Sequence, residues 1–201
     1  MYVARILYPV KVLGPGLRIG IWFAGCRHHC DGCSNPELWE FNEKYSTSLE
    51  GIMKLIMSIA ATKPVDGFTL TGGDPIEQGE ELLELLNKIS DISDDILLYT
   101  GFEYEEVVKR FPEILNKVSV IIDGKYIEAE NYGDILIGSR NQKIIILDNS
   151  KTEKYDNYIK LSENSIQNFF IDNSTISVGI HKPGFEEELN QVLERKGLRH
   201  G

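Results

Sequence analysis

The chain has 201 residues, 42% of them hydrophobic and 26% charged, and a formal net charge of −10. That composition suits one compact domain that buries its own core, and a surface so acidic repels phosphate backbones, which argues against nucleic acid as a partner. No apolar run nears the ~20 residues of a membrane span, and Arg5, Pro9, Lys11, Pro15 and Arg18 break up the N-terminal stretch, so neither leader nor membrane anchor is expected and a cytoplasmic location is.

Tyr2 to Val12 reads as a strand or hairpin, and Gly14-Pro15-Gly16 turns it into a second apolar strand, Leu17 to Ala24. That strand runs directly into Cys26-Arg27-His28-His29-Cys30-Asp31-Gly32-Cys33. From Ser48 to Ala61 the spacing of Leu49, Ile52, Met53, Ile56 and Ile59 predicts a helix with Ser48 as its cap. A short buried strand from Gly67 to Leu70 ends in Thr71-Gly72-Gly73-Asp74-Pro75, and a helix is expected over Glu80 to Ile89. Ile96 to Tyr99 is a strand ending at Thr100-Gly101, Tyr104 to Arg110 a helix, Val118 to Ile122 a strand ending at Asp123-Gly124, and Lys143 to Leu147 a further strand. Beyond that point Asp148 to Asn164 reads as an exposed polar connection. Phe169 to Ile171 and Ile176 to Ile180 flank Asp172-Asn173-Ser174 as a hairpin, and Pro183 opens a helix with Phe185, Leu189, Val192 and Leu193 on one face and Gly197 as its stop.

Strand and helix in alternation predict parallel right-handed crossovers and an α/β sheet. The cysteine loop, the Gly-Gly-Asp turn, Thr100-Gly101 and Asp123-Gly124 each follow a strand. They should therefore gather at the carboxyl edge of the sheet, where such folds build their sites. The change of character divides the chain into a core over residues 1–147 and a C-terminal extension over 148–201.

All three cysteines lie between Cys26 and Cys33, which suits metal or redox chemistry in a reducing compartment better than a disulfide framework. Thiolates favour iron–sulfur clusters or zinc. Three of them can hold three irons of a cubane and leave the fourth iron open, or they can join His28 or His29 in a structural Cys₃His zinc site. The loop by itself leaves both open.

The run Gly25-Cys26-x₃-Cys30-x-Gly32-Cys33, continuing through Asn35 to Trp39, resembles the radical S-adenosylmethionine superfamily. Within it the loop resembles the glycyl-radical-enzyme activases of the anaerobic ribonucleotide reductase type, which share Gly32 before the third cysteine along with His28, Asn35 and Trp39. Thr71-Gly72-Gly73-Asp74-Pro75 resembles the superfamily turn that receives the methionine amino group, with Asp74 where Glu is frequent. Tyr99-Thr100-Gly101-Phe102, Ile122-Asp123-Gly124-Lys125 and Gly138-Ser139-Arg140-Asn141-Gln142 are similar to activase segments in the same order, so the likeness runs over residues 1–147.

The resemblance implies a partial TIM-like β/α barrel with a C-terminal hairpin and helix appended. It implies Cys26, Cys30 and Cys33 as ligands of a [4Fe–4S] cluster, and Thr71, Gly72, Gly73, Asp74, Pro75, Thr100, Gly101, Asp123, Ser139 and Arg140 as contacts of S-adenosylmethionine. The implied enzyme is an oxidoreductase that reductively cleaves S-adenosylmethionine to a 5′-deoxyadenosyl radical and installs a glycyl radical on a partner enzyme. A flavodoxin or ferredoxin would supply its electron. The extra C-terminal region leaves a peptide or small-molecule substrate as an alternative, and a non-catalytic zinc or electron-transfer module is the reading from another class.

Overall fold

Six strands form one sheet in chain order: β1 (Val3–Val10), β2 (Arg18–Phe23), β3 (Gly67–Gly72), β4 (Ile96–Tyr99), β5 (Val120–Asp123) and β6 (Lys143–Ile146). The computed structural model describes residues 1–171 and 174–195. β2 to β5 run parallel, while β1 and β6 lie antiparallel at the two edges. Helices α1 (Leu49–Ala60), α2 (Gly79–Ile89), α3 (Tyr104–Arg110) and α4 (Pro112–Leu115) make the crossovers between parallel neighbours. Ser48 caps α1 as expected, its hydroxyl accepting the Gly51 N–H at 3.1 Å.

Alternation along each strand decides which layer a residue joins. Ile19, Ile21 and Phe23 of β2, Phe68 and Leu70 of β3, Ile96 and Leu98 of β4 and Ile121 of β5 meet α1 and α2 through Ile52, Ile56, Leu82, Leu85, Leu86 and Ile89. The residues between them form two clusters on the opposite face. Trp22 joins Leu7, Val10, Leu13, Ala24 and Leu38, whereas Leu97, Val120 and Ile122 join Leu136 and Tyr155. Both faces of the central strands are covered, which is why they read as unbroken apolar runs.

The polar stretch after residue 147 is not the exposed connection expected from its composition. It forms α5 (Thr152–Leu161), and Tyr155 is fully buried. Tyr155, Tyr158 and Ile159 fall at helical spacing and pack on the sheet, three residues hidden among many polar ones. The Tyr155 hydroxyl donates to Asp95 Oδ1 at 2.6 Å, and Lys154 Nζ also pairs with Asp95. The same carboxylate faces Arg18, at the opening of β2, which has no exposed surface. Arg18 donates further to Thr69 Oγ1 at 2.7 Å, to the Phe68 carbonyl at 2.5 Å and to the Pro15 carbonyl at 3.1 Å. A charged residue that begins an apolar strand is thus satisfied at the amino ends of β2 to β4, and it fastens α5 there.

The expected hairpin is present as β7 (Gln167–Ile171) and β8 (Ser174–Val178), an antiparallel pair separate from the main sheet. Helix α6 spans Phe185–Arg195; Phe185 stacks on His181 with centroids 4.2 Å apart, while Val192 of the expected apolar face is exposed. The expected stop at Gly197, Asp172 and Asn173 of the turn, and the side chain of Leu193 lie outside the described residues. Among the described residues no helix is long and apolar enough to cross a membrane.

Candidate active site

Parallel pairing sets Phe23 of β2 opposite Gly72 of β3, so the loops after these two strands begin side by side. The cysteine loop is pinned at its start by main-chain bonds from Gly25 N to Leu38 O and from Cys26 N to Trp39 O, each 2.8 Å. The Gly-Gly-Asp turn is tied to the same segment, with Gly73 N donating to Phe23 O at 2.7 Å and Asp74 N to Gly25 O at 2.9 Å.

Both glycines are required by this packing. At Gly72, where φ is +112°, a Cβ would stand 2.4 Å from Phe23 O; at Gly73 it would stand 2.6 Å from Gly25 O and 2.8 Å from Leu38 O. The obstacle at each position is main chain, which cannot rotate out of the way.

Asp74, 1% exposed, joins three segments of the site. Its carboxylate accepts from Ile76 N at 3.0 Å, from Gly101 N at 2.8 Å and from the Thr100 hydroxyl at 3.0 Å, and Oδ2 lies 3.0 Å from His28 Nε2. The cysteine loop, the turn and the carboxyl end of β4 therefore meet on one buried group. The other imidazole, His29, stacks on Trp39 with centroids 4.8 Å apart.

Cys26, Cys30 and Cys33 carry free thiols, and all three line one chamber together with Thr71, Gly72, Gly73 and Asp74. Burial pushes the Cys26 thiol up to about 11, and the negative charges of Asp74 and Cys33 add to this against the opposing main-chain N–H groups of His28 and His29. Burial raises Cys30 as well. At neutral pH Cys26 and Cys30 hold their protons, so binding a metal through them releases protons.

Among the described residues no three His, Cys, Asp or Glu side chains converge on a single metal ion, and both loop imidazoles are engaged elsewhere. With His28 Nε2 on Asp74 and His29 stacked on Trp39, neither loop imidazole is grouped with the three thiols. Three thiols lining one chamber suit a cluster, which takes each thiolate on a different iron.

The structure brings together Cys26, Cys30, Cys33, Thr71, Gly72, Gly73, Asp74, Thr100 and Gly101 on the chamber wall. Pro75 begins the short turn Pro75–Gln78 just behind them. Asp123, Ser139 and Arg140 do not line the chamber. Asp123 accepts from Tyr104 N at 2.8 Å and Lys143 N at 3.3 Å, the Ser139 hydroxyl accepts from Ile127 N at 3.1 Å, and Arg140 pairs with Asp134 at 2.8 Å with its guanidinium over Tyr132. These three side chains hold loops in shape.

Sequence reasoning placed Gly124 in a loop at the site's edge and named the segments holding Tyr99 and Gly138 without assigning those residues a contact, and it missed Tyr126 and residues 177–181 as chamber lining. Tyr99, Gly124 and Tyr126 sit at or just beyond strand ends, the signal that located Thr100 and Gly101. Residues 177–181 carried no such mark, because they arrive from the separate hairpin.

A family profile described as a 4Fe-4S single cluster domain matches residues 12–145. The anaerobic ribonucleoside-triphosphate reductase-activating protein of Enterobacteria phage T4 is 34% identical over 143 residues, covering 69% of this chain and 90% of that protein. Its namesake from Salmonella typhi is 31% identical over 144 residues, covering 68% and 94%, and that from Vibrio cholerae is 32% identical over 144 residues, covering 68% and 93%.

Proposed function

We infer the activity of this chain from its family, for it belongs to the anaerobic ribonucleoside-triphosphate reductase-activating proteins and carries their 4Fe-4S single cluster domain. It is a radical enzyme that installs a glycyl radical on a partner. The partner we assign is an anaerobic ribonucleoside-triphosphate reductase, and the electron comes from a small carrier of the flavodoxin or ferredoxin class. Cys26, Cys30 and Cys33 would hold the cluster. When bound, the cluster and S-adenosylmethionine supply the one-electron reductive cleavage of a sulfonium and the hydrogen-abstracting power that follows from it.

The remaining work falls to the chain's own groups. The Asp74 carboxylate is occupied by protein donors, so the amino group of S-adenosylmethionine is assigned to main-chain groups of the Thr71–Asp74 turn, with Asp74 positioning them. Leu13, Trp22, Val178 and Ile180 give the chamber apolar walls that exclude water from a reactive intermediate. We read the sheet, with its working loops at the carboxyl ends, as an incomplete β/α barrel whose extension closes part of the gap. One observation carries this reading: three thiols and the Gly72-Gly73-Asp74 turn face the same chamber.

Anaerobic loading with iron and sulfide, followed by S-adenosylmethionine, reductant and the reductase, should produce the doublet electron-spin signal of a glycyl radical. Cleavage of S-adenosylmethionine without any doublet would remove the activase role. Gly73→Val tests the turn. Its side chain collides with Gly25 O and Leu38 O, so the loaded variant should bind S-adenosylmethionine about tenfold or more weakly in a calorimetric titration. An unchanged constant would show the turn to be remote from the ligand.

A further inference from the structure

The chamber has one wall that the core does not supply. Ser177, Val178, Gly179, Ile180 and His181 line it together with the cysteine loop and the Gly-Gly-Asp turn. Ser177 and Val178 end β8 and Gly179 to His181 are the chain that leaves it, so the end of the strand and the bend after it border the space together. Among the described residues β8 pairs with β7 alone, and alternate residues of such a strand turn their N–H and C=O groups away from the partner.

This edge is held in place by the core. Val178 is 3% exposed and packs in the cluster containing Leu13 and Trp22. Asn131 Nδ2 donates to His181 O at 2.7 Å, and Asn164 Nδ2 donates to both Ile180 O and Gly133 O at 3.0 Å. On β7, Gln167 grips β1 and the residue after it, donating to Pro9 O at 2.7 Å and accepting from Lys11 N at 2.9 Å. Small residues border the space on both sides, with Gly101, Gly124 and Gly138 on the core side and Ser177 and Gly179 on this one.

A glycine offers no side chain for recognition, so an enzyme that acts on a glycine α-carbon must read the amides around it. The structural device that reads successive amides is a free strand edge, which an extended segment joins as a further strand. We propose that the free edge of β8, with the Gly179–Ile180 bend after it, is the subsite that receives the extended main chain of the partner's radical-bearing loop. This rests on the activase reading above and adds to it where the polypeptide lies. The subsite is built outside the residues matched by the family profile, which end at residue 145.

The test uses the full-length, cluster-loaded protein and two parallel measurements. Hydrogen exchange with and without the reductase should show those amides of residues 175–180 that face away from β7 slowed about tenfold or more in the complex. Glycine-centred peptides copied from the reductase's radical-bearing loop should inhibit radical installation. N-methylation of the peptide at alternate residues should weaken inhibition about tenfold each, and methylation at the residues between should leave it nearly unchanged. If the doublet forms while those amides of residues 175–180 stay unprotected, or if N-methylation has no period of two, the subsite is wrong and the activase survives. If no doublet forms with an intact reductase, the activase reading fails and the subsite falls with it.

Discussion

Cys30→Ala is expected to remove cluster-dependent cleavage of S-adenosylmethionine altogether while leaving the fold in place. Cys30 sits half-buried in the loop between Cys26 and Cys33, and its thiol belongs to none of the apolar clusters of the core. Losing it leaves two thiolates where a site-differentiated cubane needs three, and both imidazoles of the loop are engaged, His28 with Asp74 and His29 on Trp39. Iron content, cleavage products and the circular dichroism spectrum should be measured together. Lost iron and lost cleavage with an unchanged spectrum is the expected set. A variant that keeps its iron and full activity would sink the ligand assignment.

Asp95→Ala carries the largest expected cost in stability. Asp95, 2% exposed, accepts from both terminal nitrogens of Arg18 at 3.1 Å and from the Tyr155 hydroxyl, and it pairs with Lys154. Without it, a guanidinium with no exposed surface keeps only neutral oxygens for company, and removing one partner of such a pair costs about 3–5 kcal/mol. For a chain of this size that corresponds to a fall of about 10 °C in Tm. Burial alone would raise the Asp95 carboxyl, but Arg18, Lys154 and Tyr155 outweigh it and hold it below the ordinary carboxylate range. A group whose pKa is lowered by folding stabilises above its unfolded value, and that stability is lost as pH falls through the folded one. The native chain should therefore lose this contribution below about pH 4, whereas the variant lacks it throughout. Melting curves at pH 7 and pH 3 check both points. Equal stability of variant and native chain at pH 7 would mean that Arg18 is satisfied without its carboxylate.

Asp95 and Arg18 stand at the amino ends of the strands, away from the chamber at the carboxyl ends. The folded fraction of the Asp95→Ala variant should thus cleave S-adenosylmethionine at the native rate, which separates this change from one at Cys30.

The parts of the molecule legible from sequence are those fixed by local rules. The central strands announced themselves because burial on both faces demands unbroken runs such as Ile19 to Phe23 and Val120 to Ile122. The cysteine loop and the turn at Gly72 were legible because thiol spacing and main-chain crowding admit few other residues. Asp123 ends β5 and Ser139 and Arg140 lie in the segment before β6, and the direction of each side chain was decided by partners that the local pattern does not name: Lys143 N, Ile127 N and Asp134. The same limit hid α5, whose one buried and two half-buried residues are a minority in a polar segment, and the chamber wall at residues 177–181. A hairpin's own pattern says that it pairs with itself; it does not say what it will be laid against.

The carboxylate of Asp74 reaches the metal loop through His28, its own turn through Ile76 and the β4 end through Thr100 and Gly101. The segments to which the proposed function assigns the cluster and S-adenosylmethionine are thereby joined into a single mechanical body. On that proposal a disturbance that shifts one segment shifts the other, so affinity for the small molecule should track the integrity of the cysteine loop.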